Sequence, residues 1–418
     1  MLQKVLNSNK ILCLEQMFDI INVVICMREI LHCDLNSFFA SVECLKRPEL
    51  KKVPMAVAGD PKLRHGIILA KNELAKKYGI YTPETVYSAL KKCPKLILVK
   101  GNYSDYQKYS KLVNNIYLKY TDRVEPFGID ESFLDVTSSL KLFNMTSVEL
   151  ANRIREEVKN KIGLTISVGV SFNKSLAKLG SDLKKPDAVS EIPYQTFRKV
   201  IYPLPVNMLL YVGKSANITL QKLGIKTIGD LATYNKNRLI KKMGKLGELI
   251  YNYANGIDYE EVRKFDEKTL PKSVSKGVTF AKDIENIEEV IKCIKKLSDI
   301  VAFSLRKDKL KCSTVSISIK YSNFSVINRQ KKIISTDLFQ DISKAVIKLF
   351  NENYTIGKVR AITVGVTDLK SNLDEIQLSL FDKEDEKSNI KLEKISRKID
   401  DLRLIYGEDK INFGSVIK

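Results

Sequence analysis

Two adjacent carboxylates, Asp130 and Glu131, interrupt a stretch that otherwise reads as interior: Glu125-Pro-Phe-Gly-Ile-Asp130-Glu131-Ser-Phe-Leu-Asp135-Val-Thr137. The apolar runs on either side have the length and alternation of two short strands. An unpaired Asp or Glu inside a buried strand costs several kcal/mol or more, so the pair belongs at a strand junction where a cation meets it. A second apolar strand ending in a carboxylate lies far upstream, Glu29-Ile-Leu-His-Cys-Asp34-Leu-Asn-Ser-Phe38-Phe39. If the two strands are neighbours in one sheet, three carboxylates converge. An all-oxygen cluster suits Mg²⁺ or Mn²⁺, not Zn²⁺. Taken alone, the 125–137 stretch is equally readable as a solvated hairpin turn.

At 418 residues the chain exceeds one ordinary core, and about two to four domains are expected. A net charge of +21 favours a polyanionic partner, nucleic acid before anionic membrane. The seven cysteines contain no CxxC pair and there are only two histidines, His32 and His65. That usage argues against a disulfide framework, a zinc site or a Ser-His-Asp triad, and points to a reducing cytoplasm. Ile20 to Cys26 is apolar but too short to span a bilayer, and Glu15 and Asp19 precede it. Residues 1–27 are expected to be a leader, either disordered or an over-extended start, and no membrane association is expected.

Along the chain, strands are expected at 28–35, 55–58, 66–70, 96–99 and 164–170, with helices at 38–46, 72–78, 84–92, 103–120 and 147–161 and from Asn173. This alternation with antiparallel hairpins describes a mixed α/β sheet. From Lys184 the pattern shifts to short helices. The run from Leu204 through Gly213 and Lys214, then Leu220 to Gly224, reads as a helix-hairpin-helix whose bend can hold a phosphate, with Lys214, Lys222 and Lys226 nearby. An ordinary helical hairpin is the alternative. Residues 263–272 read as a linker. Beyond it the order is strand (273–280), helix (287–306), strand (314–321), strand (332–336), helix (342–351), strand (359–369), a βαββαβ split motif rich in lysine. An acidic tail follows, interrupted by the apolar pentapeptide Gln377-Leu378-Ser-Leu380-Phe381, and an amphipathic helix at 390–406 closes the chain.

Together these motifs resemble the Y-family of translesion DNA polymerases, in its DNA polymerase IV (DinB) branch. The resemblance runs from Met27 to Leu369. It is carried by His32-Cys-Asp34-Leu-Asn-Ser-Phe-Phe39-Ala-Ser-Val-Glu43, by Gly128-Ile-Asp130-Glu131-Ser, by Ser167-Val-Gly-Val-Ser-Phe-Asn173-Lys174-Ser-Leu-Ala-Lys178, and by Asp182-Leu-Lys-Lys185-Pro186. It implies an α+β multidomain, right-hand polymerase. A mixed-sheet palm would occupy 28–37 and 102–190, small fingers 38–101, a helical thumb with the helix-hairpin-helix 191–262, and a βαββαβ little finger 273–370. Residues 371–418 would be a clamp-binding tail with a C-terminal helix.

The resemblance also implies a mechanism: two-metal-ion nucleotidyl transfer from dNTPs to a primer 3′-hydroxyl, including opposite damaged bases, at low fidelity and without proofreading. Asp34 and Asp130 would bridge two Mg²⁺ ions, with Mn²⁺ possible, Glu131 would ligate the primer-side ion, and the Leu35 backbone carbonyl would complete the other. Phe39 would be the steric gate against ribonucleotides. Ser37, Phe38, Lys76 and Lys185 would join it around the nucleotide, and Gly213, Lys214 and Gly224 would meet DNA. Gln377, Leu378, Leu380 and Phe381 would bind the bacterial sliding clamp (β subunit). A cytoplasmic monomer acting on primer-template DNA is expected. The chain departs from the family at Lys71-Asn-Glu73-Leu-Ala-Lys76, where many members read Ala-Asn-Tyr-Glu-Ala-Arg, and at Ser37, where tyrosine or cysteine is common. A nucleotide cyclase or a metal-dependent nuclease could also use clustered carboxylates. Neither would require dNTPs to extend a primer.

Overall fold

Ile30-Leu-His-Cys-Asp-Leu35 is buried at every position, as a strand covered on both faces must be. This strand, β1 (Ile30–Leu35), is the middle of a five-stranded sheet. In chain order the other strands among the described residues up to 267 are β2 (Met55–Ala58), β3 (Ile68–Lys71), β4 (Ile97–Lys100), β5 (Val124–Pro126), β6 (Glu131–Asp135), β7 (Ile166–Ser171) and β8 (Val189–Ile192). The central sheet runs β5-β6-β1-β7-β8, with β1 antiparallel to both neighbours. The register sets Leu31 opposite Leu134 and Asp34 opposite Glu131, so one pairing fixes both the core and the site. The computed structural model describes residues 28–371 and 386–411, apart from positions 61, 63, 65, 268, 269, 408 and 409. The expected leader and the pentapeptide Gln377–Phe381 lie outside the described residues.

β7 and β8 are parallel and are joined through the helix Lys174–Leu183, which lies against β7 and β1. Its approach is unusually close. A Cβ on Gly169 would sit 1.9 Å from the Ala177 carbonyl oxygen and 2.3 Å from the Ser181 nitrogen. Only glycine leaves room there. Strand β8 and the short helix Leu140–Phe143 are additions to the elements expected from the sequence.

β2, β3 and β4 form a separate three-stranded sheet in the order β3-β2-β4. The Asn72 side chain ties this small unit together. Its oxygen accepts from Met55 N–H (3.2 Å) and Ala75 N–H (2.9 Å), and its nitrogen donates to the carbonyls of Leu50 (3.2 Å) and Val53 (2.8 Å).

The helical region corrects one expectation. No helix spans 204–213: a single 3₁₀ turn, Val206–Met208, is followed by irregular chain in which Tyr211 takes φ +68°. The hairpin is made instead by Lys214–Lys222 and Ile228–Thr233, with Gly224 (φ +79°) at the bend and Gly213 at the first helix's start. Two further helices, Lys236–Met243 and Lys245–Ala254, were not anticipated from the sequence.

The chain leaving these helices is fastened to the sheet by a buried ion cluster. Glu125, 4% exposed, accepts from Lys174 Nζ (2.9 and 3.1 Å), Arg263 Nη2 (2.8 Å) and Arg263 N–H (3.0 Å), and Lys174 also reaches Glu260 at 3.0 Å. Burial alone would push the Glu125 carboxyl up, yet Arg263 and Lys174 outweigh it and hold the pKa below the ordinary 4.5. Its contribution is therefore full above 4.5 and fades as pH falls through the lower folded value. Glu125→Gln is expected to lose roughly 3–5 kcal/mol at neutral pH, because Lys174 and Arg263 lose the buried carboxylate they share. Urea midpoints should show this loss, and the gap to the parent protein should shrink as pH drops below 4.5.

A second unit comprises residues 60–66 and the chain from Lys268 onward. It contains β9 (Ser273–Ile284), β10 (Leu310–Tyr321), β11 (Val326–Thr336) and β12 (Val359–Ser371), all antiparallel in the order β11-β10-β12-β9. Helices Ile287–Lys307 and Phe339–Asn353 complete the βαββαβ order and share a core of Val290, Ile294, Val301, Ile317, Val346 and Val364. The C-terminal helix Glu386–Tyr406 is bonded to this unit. Arg403 meets Asp299 at 2.6 and 3.1 Å, and Arg306 meets Asp400 at 2.5 and 2.9 Å. Among the described residues, no helix is long and apolar enough to cross a membrane.

Candidate active site

Pairing of β1 with β6 places Asp34 at the end of one strand opposite Glu131 at the start of the other. Asp130 immediately precedes β6, and its carbonyl accepts from Leu35 N–H at 2.9 Å. Sheet register therefore brings together carboxylates that are about a hundred positions apart. The helix Lys174–Leu183 and the residues just after it add cations. Lys178 donates to Glu131 Oε1 (2.9 Å) and lies 3.4 Å from Asp34 Oδ2, while Lys185 reaches Asp34 Oδ2 at 2.7 Å. Asp182 pairs with both lysines, at 3.5 and 2.8 Å.

The electrostatics separate the adjacent pair. Burial first, then the charges of Asp34 and Glu131, raise the Asp130 carboxyl to about 6. Glu131 goes the other way, to about 2: burial opposes ionisation, but His32 and Lys178 outweigh it. Burial works against Lys178 and Lys185, yet the facing carboxylates raise both above their ordinary value. Among the described residues Asp130 has no ion-pair partner, although two anions crowd it. That uncompensated negative charge, carried entirely by oxygen donors, fits a hard divalent cation. Among the described residues no three His, Cys, Asp or Glu side chains are gathered closely enough to chelate an ion as they stand.

Around this centre the other residues singled out from the sequence fall into different places. Phe39 is half-buried and stacked on Tyr106, with centroids 4.2 Å apart and planes 10° apart. Tyr106 is anchored in turn by its hydroxyl, which donates to Glu43 Oε1 at 2.9 Å. Phe38 is only 3% exposed and belongs to the core, so its side chain does not line a nucleotide site and only its backbone could contribute. Ser37 opens the helix Phe38–Lys46 in the left-handed region (φ 47°) without a side-chain capping bond. It lines a cavity of about 270 Å³ together with Ser41, Lys51, Glu73, Thr165 and Pro186. Lys76 is exposed and meets Glu73 at 3.7 Å, and it is not brought to the carboxylates. Gly213, Lys214 and Gly224 lie in the helical hairpin described above.

Sequence reasoning gave no role to Lys178, Asp182, Tyr106 or His32. A signal existed for two of them. Lys174, Lys178 and Asp182 recur every four residues on one helix, a charged stripe on an element whose neighbours are buried.

Known proteins resemble this chain along most of its length. Residues 33–182 match the impB/mucB/samB family, 271–380 its C-terminal domain, and 211–258 the DNA polymerase-iota thumb domain. Proteins named DNA polymerase IV are similar over nearly their full length. The one from Acetivibrio thermocellus is 44% identical, covering 94% of this chain and 98% of the relative. That from Clostridium kluyveri is 38% identical with the same coverage, and that from Clostridium acetobutylicum is 37% identical over 91% and 96%. A solved Y-family DNA polymerase chimera shares the fold, with a TM-score of 0.73 at 24% identity over 82% of this chain and 100% of the chimera. The family match and these relatives define a DNA-directed DNA polymerase of the translesion class. The chain belongs to the Y-family, in its DNA polymerase IV (DinB)-like branch.

Proposed function

We propose that Asp34, Asp130, Glu131 and the Leu35 carbonyl hold the divalent cations of this polymerase, two Mg²⁺ ions with Mn²⁺ as a substitute. The observation that carries the reading is Asp130, a carboxylate raised to about 6 beside two others and lacking any cation of its own among the described residues. When bound, such ions lower the pKa of the attacking hydroxyl and neutralise phosphate charge. Lys185, which reaches Asp34 at 2.7 Å, passes in this reading to the triphosphate of an arriving dNTP. Free backbone N–H groups at the start of the helix Phe38–Lys46, with Ser37, offer a second anion contact. Lys76 supplies an outer cation once Glu73 releases it.

Phe39 selects the sugar by shape. Its ring cannot retreat, because Tyr106 supports its far face. Phe39→Ala is expected to raise ribonucleotide incorporation by roughly 10²-fold or more relative to dNTPs, a difference made by removing a clash. Single-nucleotide insertion with paired rNTP and dNTP substrates measures it, and unchanged sugar selection would show that the ring serves the core only.

DNA is gripped, in this reading, by the Gly213, Lys214 and Gly224 hairpin and by the open face of the second sheet. That face presents small polar side chains, Ser275, Ser316, Ser318, Asn328, Gln330 and Thr363, on which a phosphate backbone can lie close. Synthesis opposite damaged bases, low fidelity, no proofreading and a cytoplasmic monomer complete the reading. Gln377, Leu378, Leu380 and Phe381 are assigned to the sliding clamp. Deleting 377–381 should reduce clamp-stimulated synthesis by about tenfold or more, through lost effective concentration, and leave single insertions unchanged. The whole reading is tested by primer extension on undamaged and lesion-bearing templates. DNA cleavage without dNTPs would replace it with a nuclease.

A further inference from the structure

Glu131 is held on its two oxygens by unlike groups. Oε1 meets Lys178, a flexible side chain also within reach of Asp34 and Asp182. Oε2 faces Nε2 of His32 at 3.5 Å, just beyond bonding distance. His32 is fully buried on β1, directly across from Phe133, whose ring meets it edge-on at 4.7 Å between centroids. Its other nitrogen, Nδ1, lies 2.8 Å from Ser181 Oγ, a hydroxyl that is also 2.8 Å from the Lys178 carbonyl oxygen. Only the tautomer with its proton on Nε2 turns a donor toward the Glu131 carboxylate, and in it Nδ1 accepts from the Ser181 hydroxyl. The ring is thus pinned in plane and direction, and Nε2 has no hydrogen-bond partner at all in this arrangement. A buried polar atom left open and aimed at a catalytic carboxylate needs a reason.

We infer that His32 is a positioning residue: through Nε2 it sets the orientation of the Glu131 carboxylate for the primer-side cation. The inference rests on the cation-site reading given above. Lys178 cannot do this alone, because three carboxylates compete for its ammonium and its stem has free rotors. Groups that orient a metal-ligating carboxylate typically change metal affinity or rate by about 10–100-fold when removed.

Two substitutions separate the ring's nitrogens. The amide nitrogen of His32→Gln falls near the place of Nε2 and can meet Glu131, whereas that of His32→Asn replaces Nδ1 and cannot. His32→Asn is expected to lower kcat by about 10–100-fold with KM for dNTP within about twofold. Mn²⁺ affinity, read by EPR in the complex with dideoxy-terminated primer-template and dNTP, should fall by about tenfold or more. His32→Gln should restore both to within about threefold of the parent. Equal defects in the two variants, or unchanged Mn²⁺ affinity in His32→Asn, would overturn the inference. Should both unfold, Ser181→Ala releases Nδ1 by removing a single hydroxyl. It should lower kcat and Mn²⁺ affinity by about threefold or more, and unchanged values would equally overturn the inference. Glu131→Ala is the control. If it keeps parental Mn²⁺ affinity and kcat, the ligand assignment itself fails, whereas a disabled Glu131→Ala beside a normal His32→Asn removes only the role of His32.

Discussion

Asp130→Ala is expected to lose at least roughly 10³-fold in primer extension while binding primer-template within about twofold of the parent protein. The asymmetry follows from where Asp130 sits. It precedes β6 at the junction with β1, and it belongs to neither the core clusters nor the surfaces assigned to DNA. Its link to the fold is made by its backbone carbonyl, which Leu35 N–H retains when the side chain is cut. Removing the carboxylate also relieves repulsion from Asp34 and Glu131, the like charges that help raise its pKa to about 6. Folding should therefore be unharmed or slightly improved, so lost activity cannot be blamed on stability. Extension at even a tenth of the parental rate, measured in single-turnover insertion, would remove Asp130 from the catalytic set.

Gly169→Ala should destabilise the first unit by about 3 kcal/mol or more, at the upper end of overpacking penalties. The new methyl would stand 1.9 Å from the Ala177 carbonyl oxygen and 2.3 Å from the Ser181 nitrogen. Both are backbone atoms of the helix Lys174–Leu183, so no side-chain rotation relieves the clash and the helix itself must withdraw from β7. That helix carries Lys178 to Glu131 and Ser181 to His32. A protein that folds despite the substitution should consequently extend primers more slowly. The urea midpoint should fall with little change in slope, and an unchanged midpoint would mean that the helix approaches β7 less closely than the structure has it.

The elements of this chain were largely legible because their signals are local. Unbroken apolar runs mark β1 and β2, alternation marks β10, Asn72, Thr146 and Asn173 each accept at a helix start, and Gly163 closes the helix Ser147–Ile162 at φ +81°. Local signals failed where the backbone did something its composition did not announce. Where a helix reads from Leu204, only the 3₁₀ turn Val206–Met208 forms, and Phe38 and Phe39 are indistinguishable by type although one is core and the other half-exposed.

From sequence alone followed the carboxylates at strand ends, the oxygen-donor character of their cluster, the βαββαβ order of the second unit and the basic charge that asks for a polyanion. Each depends on residue type and short-range period. Only the tertiary structure decided that Asp34 faces Glu131, that a helix seated on Gly169 delivers Lys178 to both, and that Arg403 and Asp299 bind the C-terminal helix to the second unit. These are relations between residues roughly fifty to a hundred or more positions apart. Their distances are set by sheet register and by how closely backbones can approach, which one-dimensional pattern does not encode.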